Sequence, residues 1–195
     1  MGVEQRQLTG AELALDPAAV RGAIADLEQG AWAGLVEQDA EAKIARLAED
    51  LARLDELEVR HVDWDCYAQG YASAVPIVMS RRDDDAEAFR ASSRFGDFEG
   101  VVVAVCRLAP LACVSSPGGE RVGEAGMLGQ GDFLDDRHVQ WAATLGLIDA
   151  TLAHHGSARL SPEVLNQRID PSLVIDTNFG DPPFTVFDAW FHWYD

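Results

Sequence analysis

The chain is 195 residues long, enough for one domain with a substantial core and short for two. Hydrophobic residues make up 48% and charged residues 25%, a globular balance that excludes general disorder. Lys+Arg number 15 against 33 Asp+Glu, and the formal charge of −18 disfavours nucleic acid and anionic membrane, whose binding relies on basic side chains neutralising phosphates.

Residues Met1 to Gly10 lack a basic region followed by an apolar run, so no signal peptide is expected. No stretch approaches the ~18 apolar residues of a membrane span, which leaves the cytoplasm as the default location. Asp16-Pro17 predicts a helix start, aspartate as N-cap and proline at the first helical position, with Gly30 as its stop. Val20, Ile24 and Leu27 share one face of it. A second helix is predicted from about Asp39 to Leu57, where Ile44, Leu47, Leu51 and Leu54 repeat at helical spacing. Glu37, Glu41, Glu49, Asp50, Asp55 and Glu56 take mainly its other face. Lys43, the only lysine, lies in this helix, so any lysine chemistry must use it.

The period then changes. Val75 to Met79 reads as a short strand, and Gly100 to Leu108 is the strongest strand signal in the chain. Pro110 interrupts it, and Leu111 to Val114 resumes after a bend. Between these strands, Arg81 to Glu99 is polar and rich in Asp, and a second flexible region, Ser115 to Gly131, holds six of the 17 glycines. Asp135 or Asp136 caps a predicted helix to about His155, with Val139, Ala142, Ala143 and Leu147 as its apolar side and Gly156 as its end. Ser161-Pro162-Glu163 opens one more short helix. Phe184 to Tyr194 carries six of the 16 aromatics and reads as a strand covered on both faces, inside the sheet. The expected fold is a single α+β domain: a mixed or antiparallel central sheet with two N-terminal helices and one long C-terminal-half helix packed on it.

Few residues offer chemistry. Cys66, Cys106 and Cys113 are odd in number and lack C-x-x-C spacing, which suggests neither a disulfide framework nor zinc. The glycines from Gly118 to Gly131 could cradle a phosphate only with a nearby lysine, and Asp132, Asp135 and Asp136 stand where the anion would go. Neither Asp83-Asp84-Asp85 nor the Asp132/Asp135/Asp136 group has the spacing of a calcium loop. The pair His154-His155 falls in a last helical turn, suited to capping carbonyls. His138 sits beside Asp135 and Asp136 without a nucleophile, and His192 sits among aromatics. No serine elbow is present, Cys66 with His61 is a combination that chance supplies, and Glu41-Ala42-Lys43 belongs to a helix rather than to a nuclease strand. No catalytic residue, metal site or cofactor is assigned. Trp32, Trp64, Trp141, Trp190 and Trp193 exceed the needs of a core this size, and one or two are expected to be interface anchors.

Several features together resemble bacterial immunity proteins of polymorphic-toxin systems, in particular those found beside restriction-endonuclease-like nuclease toxins. They are the two N-terminal helices, the strand block around Trp64 and Val75 to Met79, and the Gly100 to Val114 strand pair. The Gly129 to Phe133 run and the closing Phe187-Asp188-Ala189-Trp190-Phe191-His192-Trp193 complete the likeness. The resemblance covers the arrangement of most of the chain and no diagnostic motif. It implies a cytoplasmic protein that binds and neutralises a basic co-encoded toxin, and it agrees with the charge of −18 because nuclease toxins carry basic grooves. The expected contacts are Asp83, Asp84, Asp85, Asp97, Glu99, Asp132, Asp135 and Asp136, with Trp64 and Trp141 as anchors. Two other readings stay open: an enzymatic or small-molecule-binding domain with an aromatic pocket near His138 or His192, and a homodimer joined through Phe184 to Tyr194.

Overall fold

The computed structural model describes residues 8–28, 35–64, 71–82, 100–116, 133–175 and 181–194. Strands β1 (Leu57–Val62), β3 (Ala74–Arg81), β4 (Gly100–Cys106), β5 (Leu111–Ser115) and β6 (Ala158–Arg159) form one sheet in the order β1-β3-β4-β5-β6. All neighbours are antiparallel except β5 and β6, which run parallel, so the sheet is mixed. β2 (Tyr71–Ala72) pairs with β7 (Trp193–Tyr194) in a separate two-stranded ribbon. Six helices surround these strands among the described residues: α1 (Gly10–Leu15), α2 (Pro17–Glu28), α3 (Leu35–Leu51), α4 (Ala142–His154), α5 (Pro162–Leu165) and α6 (Val186–Trp190). The α+β class read from the sequence is the observed one.

Side chains alternate across a strand, and here both sets are apolar. Ala74, Val78, Val102, Ala104, Cys106, Leu111 and Cys113 join one core with α1, α2, α5 and α6. Val75, Ile77, Met79, Val101, Val103, Val105, Ala112 and Val114 join a second core with α3 and α4. A strand buried on both faces reads as a continuous apolar run, which is why Val101 to Cys106 was so visible. The two N-terminal helices therefore lie on opposite faces of the sheet. Pro76 stands in a central strand without leaving a gap. Its carbonyl accepts from the Asp63 amide at 2.9 Å, so its nitrogen, which has no hydrogen to donate, faces the same side, just past Val62 at the end of β1.

Three element boundaries differ from the sequence reading. α3 ends at Leu51 rather than Leu57, and Leu57 opens β1. Arg82, at the far end of β3, takes the carbonyls that a longer helix would have used itself. Its Nε donates to Asp55 O at 3.0 Å, and its Nη2 to Leu54 O and Leu57 O, each at 3.0 Å, and to Ala52 O at 3.3 Å. The long C-terminal-half helix starts at Ala142, not at Asp135 or Asp136. Asp135 instead folds residues 135–141 into successive turns, accepting from the Arg137 amide at 2.9 Å and, through its backbone carbonyl, from the His138 amide at 3.0 Å. The buried side of α4 is then Thr144, Leu145, Ile148 and Leu152, whereas Val139 is 82% exposed and Ala142, Ala143 and Leu147 face outward.

The closing segment is the third correction: Phe184 to Tyr194 is not a strand inside the sheet. Thr185 and Asp188 form a capping box, with the Asp188 carboxylate accepting from the Thr185 amide at 2.6 Å and its hydroxyl at 2.7 Å. The helix α6 that follows is buried on every side, so its apolar residues show neither period clearly. Smaller signals held. The Ser161 hydroxyl accepts from the Val164 amide, and Gly156 adopts φ +73° one residue past the C-cap of α4. Ser157 N donates to Leu152 O and Gly156 N to Ala153 O, the paired bonds of a Schellman motif.

Polar side chains lock the C-terminal segment to the sheet. The Ser73 hydroxyl lies 2.9 Å from Trp190 O and 3.0 Å from His192 O, and Trp190 Nε1 donates to Ala14 O at 3.1 Å. His192 is 1% exposed, with Nδ1 3.0 Å from Ala189 O and no partner for Nε2 among the described residues. Burial pushes its pKa down to about 4, from an ordinary value near 6.5. The unfolded chain thus binds a proton that the folded chain refuses between these values. Stability is complete above about pH 6.5 and falls by up to ~3 kcal/mol as pH drops through 4. Denaturant midpoints measured from pH 7 to 4 will decline more steeply for the native sequence than for His192→Phe. Parallel slopes would exclude this role for His192.

Candidate partner-binding surface

The turns of residues 135–141 and the helix start at Pro162 border an open cleft of about 510 Å³, lined by Asp135, Asp136, Arg137, Asp149, Arg159, Ser161 and Glu163. Four carboxylates meet two guanidiniums there, an excess of two negative charges. The two arginines serve different ends. Arg159, on the edge strand β6, grips Asp149 of α4 in a fork, Nε to Oδ1 at 2.7 Å and Nη2 to Oδ2 at 2.8 Å, while Nη1 donates to Leu134 O at 3.0 Å. This joins α4, β6 and the chain entering the turns, and the Arg159 side chain is only 12% exposed. Arg137 lies on the outside, 2.5 Å from Asp135 and 3.0 Å from Glu163. The Arg137 guanidinium beside Asp135 holds that carboxyl down to about 2, so it is ionised throughout the neutral range. His138 Nδ1 lies 3.1 Å from the Asp135 amide and 3.0 Å from its Oδ1, accepting from the first when deprotonated and donating to the second when protonated.

Asp135 is thereby consumed in holding the turns, whereas Asp136 and Glu163 face outward, with side chains 90% and 62% exposed. Val139 projects from the same turns as an exposed apolar side chain. Asp136 reaches Arg159 at 3.4 Å and Glu163 reaches Arg137 at 3.0 Å, yet the cleft keeps its excess of two negative charges, and an apolar tip beside it suits a basic partner surface, with charge at the rim and apolar contact at the centre. Sequence reasoning found Asp135 and Asp136. It did not single out Asp149, Arg159 and Glu163, which the packing of α4, β6 and α5 brings together.

The remaining expected contacts divide. Asp83, Asp84, Asp85, Asp97, Glu99 and Asp132 lie outside the described residues. Trp64 is half-buried against the core that carries α3, and its carbonyl accepts from Arg107 Nη2 at 2.8 Å. Trp141 is 5% exposed, with the Arg81 guanidinium 5.1 Å from its ring centroid, so its ring is taken up inside the molecule rather than offered at the surface. A second acidic area follows α3, where Glu49, Asp55 and Glu56 are exposed. Asp50 accepts from His155 Nε2 at 2.8 Å, and this bond lowers its pKa and ties α4 to α3. His155 thus uses its ring to join two helices, in place of the carbonyl capping expected of it.

Among the described residues, no group of three or more His, Cys, Asp or Glu side chains stands together as a metal-binding set, and no helix is long and apolar enough to cross a membrane. Burial pushes the Cys106 thiol up to about 12 and raises Cys113 further, so both remain thiols at neutral pH. Comparison of the chain with family models, curated proteins and solved structures finds no match.

The division of labour between the charges has a measurable consequence. Replacing Arg159 with Ala breaks the fork to Asp149 and frees the Leu134 carbonyl, and chemical denaturation will show a loss of about 1–3 kcal/mol. Asp136→Asn, one step outward, will stay within about 0.5 kcal/mol of the native protein. Equal losses from both would mean that the cleft is one structural network with no outward-facing part.

Proposed function

We propose that this chain is an inhibitory binding protein of the immunity type: a cytoplasmic protein that captures a basic toxin, a nuclease being the best-matched class, and neutralises it by occupying its cationic surface. The observation that carries the reading is how the charges are distributed. The chain has 33 carboxylates against 15 basic residues, and several of those basic residues are turned inward. Arg60, Arg107 and Arg159 have side chains only 8%, 9% and 12% exposed, and Arg82 and Arg107 hold backbone carbonyls. Arg60, Arg107 and Arg159 are thereby withdrawn from direct contact with a partner, and the field of the chain is that of its net charge of −18. Such a field accelerates encounter with a cationic partner and does little for fold stability. Asp136, Glu163 and Val139 supply a defined contact patch on it.

The test is genetic and kinetic. The basic protein encoded beside this chain, expressed alone, will arrest growth, and co-expression of this chain will restore it. The double variant Asp136→Asn, Glu163→Gln will associate with that protein about tenfold more slowly at low ionic strength, with a smaller change in dissociation. A harmless neighbour, or arrest that persists when this chain is present, would exclude the immunity reading. An unchanged association rate would remove the cleft from the contact.

A further inference from the structure

Where α3 leaves the end of β4, a second cleft of about 450 Å³ opens between the helix, the β4–β5 turn and the turn after α4. Its volume lies in the range that holds small molecules. Ile44, Leu47 and Pro110 are among its apolar lining, and the first two are buried at 3% and 1%. Its charged lining is the reverse of the rest of the molecule. Among the described residues it includes Lys43, Arg107 and His155 and no carboxylate. Arg107 is fixed there, with Nη1 on Ala72 O at 2.8 Å and Nη2 on Trp64 O at 2.8 Å, and its charge is shared with Glu41 at 3.7 Å. His155 is fixed by Asp50. Lys43 is exposed, and its ammonium makes no hydrogen bond or ion pair with any described residue. In a chain with two carboxylates for every base, its only lysine stands over an apolar cleft without a carboxylate partner among the described residues.

We propose that this cleft binds a small carboxylate with an apolar tail, the tail against Leu108, Ala109 and Pro110 over the buried Ile44 and Leu47 and the carboxylate at Lys43, with Arg107 behind it. This site is independent of the toxin-binding reading. The ligand class follows from the two lining chemistries together. An apolar body alone would make the cations superfluous, and a small inorganic anion would leave the apolar walls wet.

Three probes of one tail length separate the terms: octanoate, octanol and octylammonium, titrated into the isotopically labelled full chain while its amide resonances are followed. Octanoate will give saturable shifts centred on Lys43, Ala109 and Ser157, octanol will bind about tenfold more weakly, and octylammonium more weakly still. The whole-molecule charge of −18 favours the opposite order, so the ranking reports the cleft itself. Lys43→Gln, an exposed helix position, will bring octanoate to the level of octanol and leave octanol binding unchanged. Shifts that do not saturate, or octylammonium bound as tightly as octanoate, would overturn the proposal. So would Lys43→Gln binding octanoate unchanged, or losing octanoate and octanol alike.

Discussion

The double-sided burial of β3, β4 and β5 is the constraint on which the rest of the molecule depends. Each of these strands sends apolar side chains to both faces, so each face must be covered, and the helices are distributed accordingly. Fully burying one Val or Leu contributes about 1.5–3 kcal/mol, and the sheet supplies these in two facing sets. The helices α3 and α4 cover one of these faces. Their ends leave the two clefts, one beside the end of β4 and one beside the turns that follow β5.

The second organising fact is that three arginines here serve the structure. Arg82 collects carbonyls after α3, Arg107 collects those of Ala72 and Trp64, and Arg159 fastens α4 to β6. A planar guanidinium with five donors can satisfy several carbonyls at once, which an ammonium on a flexible stem does less well. The outcome is that Arg60, Arg107 and Arg159 are withdrawn from the surface while Asp136 and Glu163 stay on it. The exposed patch of Asp136, Glu163 and Val139 and the contrasting basic cleft at Lys43 both stand out against that division.

Much of the fold was legible because its signals are local. The Val101 to Cys106 run, the Asp16-Pro17 start, the Ser161-Pro162 start and the Gly156 stop each depend on neighbours within a few residues. The errors mark where distant partners decide. Nothing near Leu51 announces that Arg82 will end α3, and nothing near Asp135 announces that its side chain will fold turns rather than cap a helix. Phe184 to Tyr194 was misread although a local sign was present, the Thr185/Asp188 capping box, because aromatic density outweighed it. At the site, Asp135 and Asp136 could be singled out by their clustering, but their roles diverge. One is consumed by Arg137 and the other, though it reaches Arg159 at 3.4 Å, keeps its side chain 90% exposed, and only the packed structure makes that distinction.

The central claim, that this acidic chain exists to hold a basic protein, is tested most directly by capture. The tagged full chain is exposed to lysate of its source organism at low ionic strength and eluted with a salt step. The account predicts one basic protein, retained stoichiometrically, released by salt, and toxic when expressed without this chain. If the captured material were absent, acidic, or indifferent to salt, the surface charge would be a solubility feature and the claim would be contradicted.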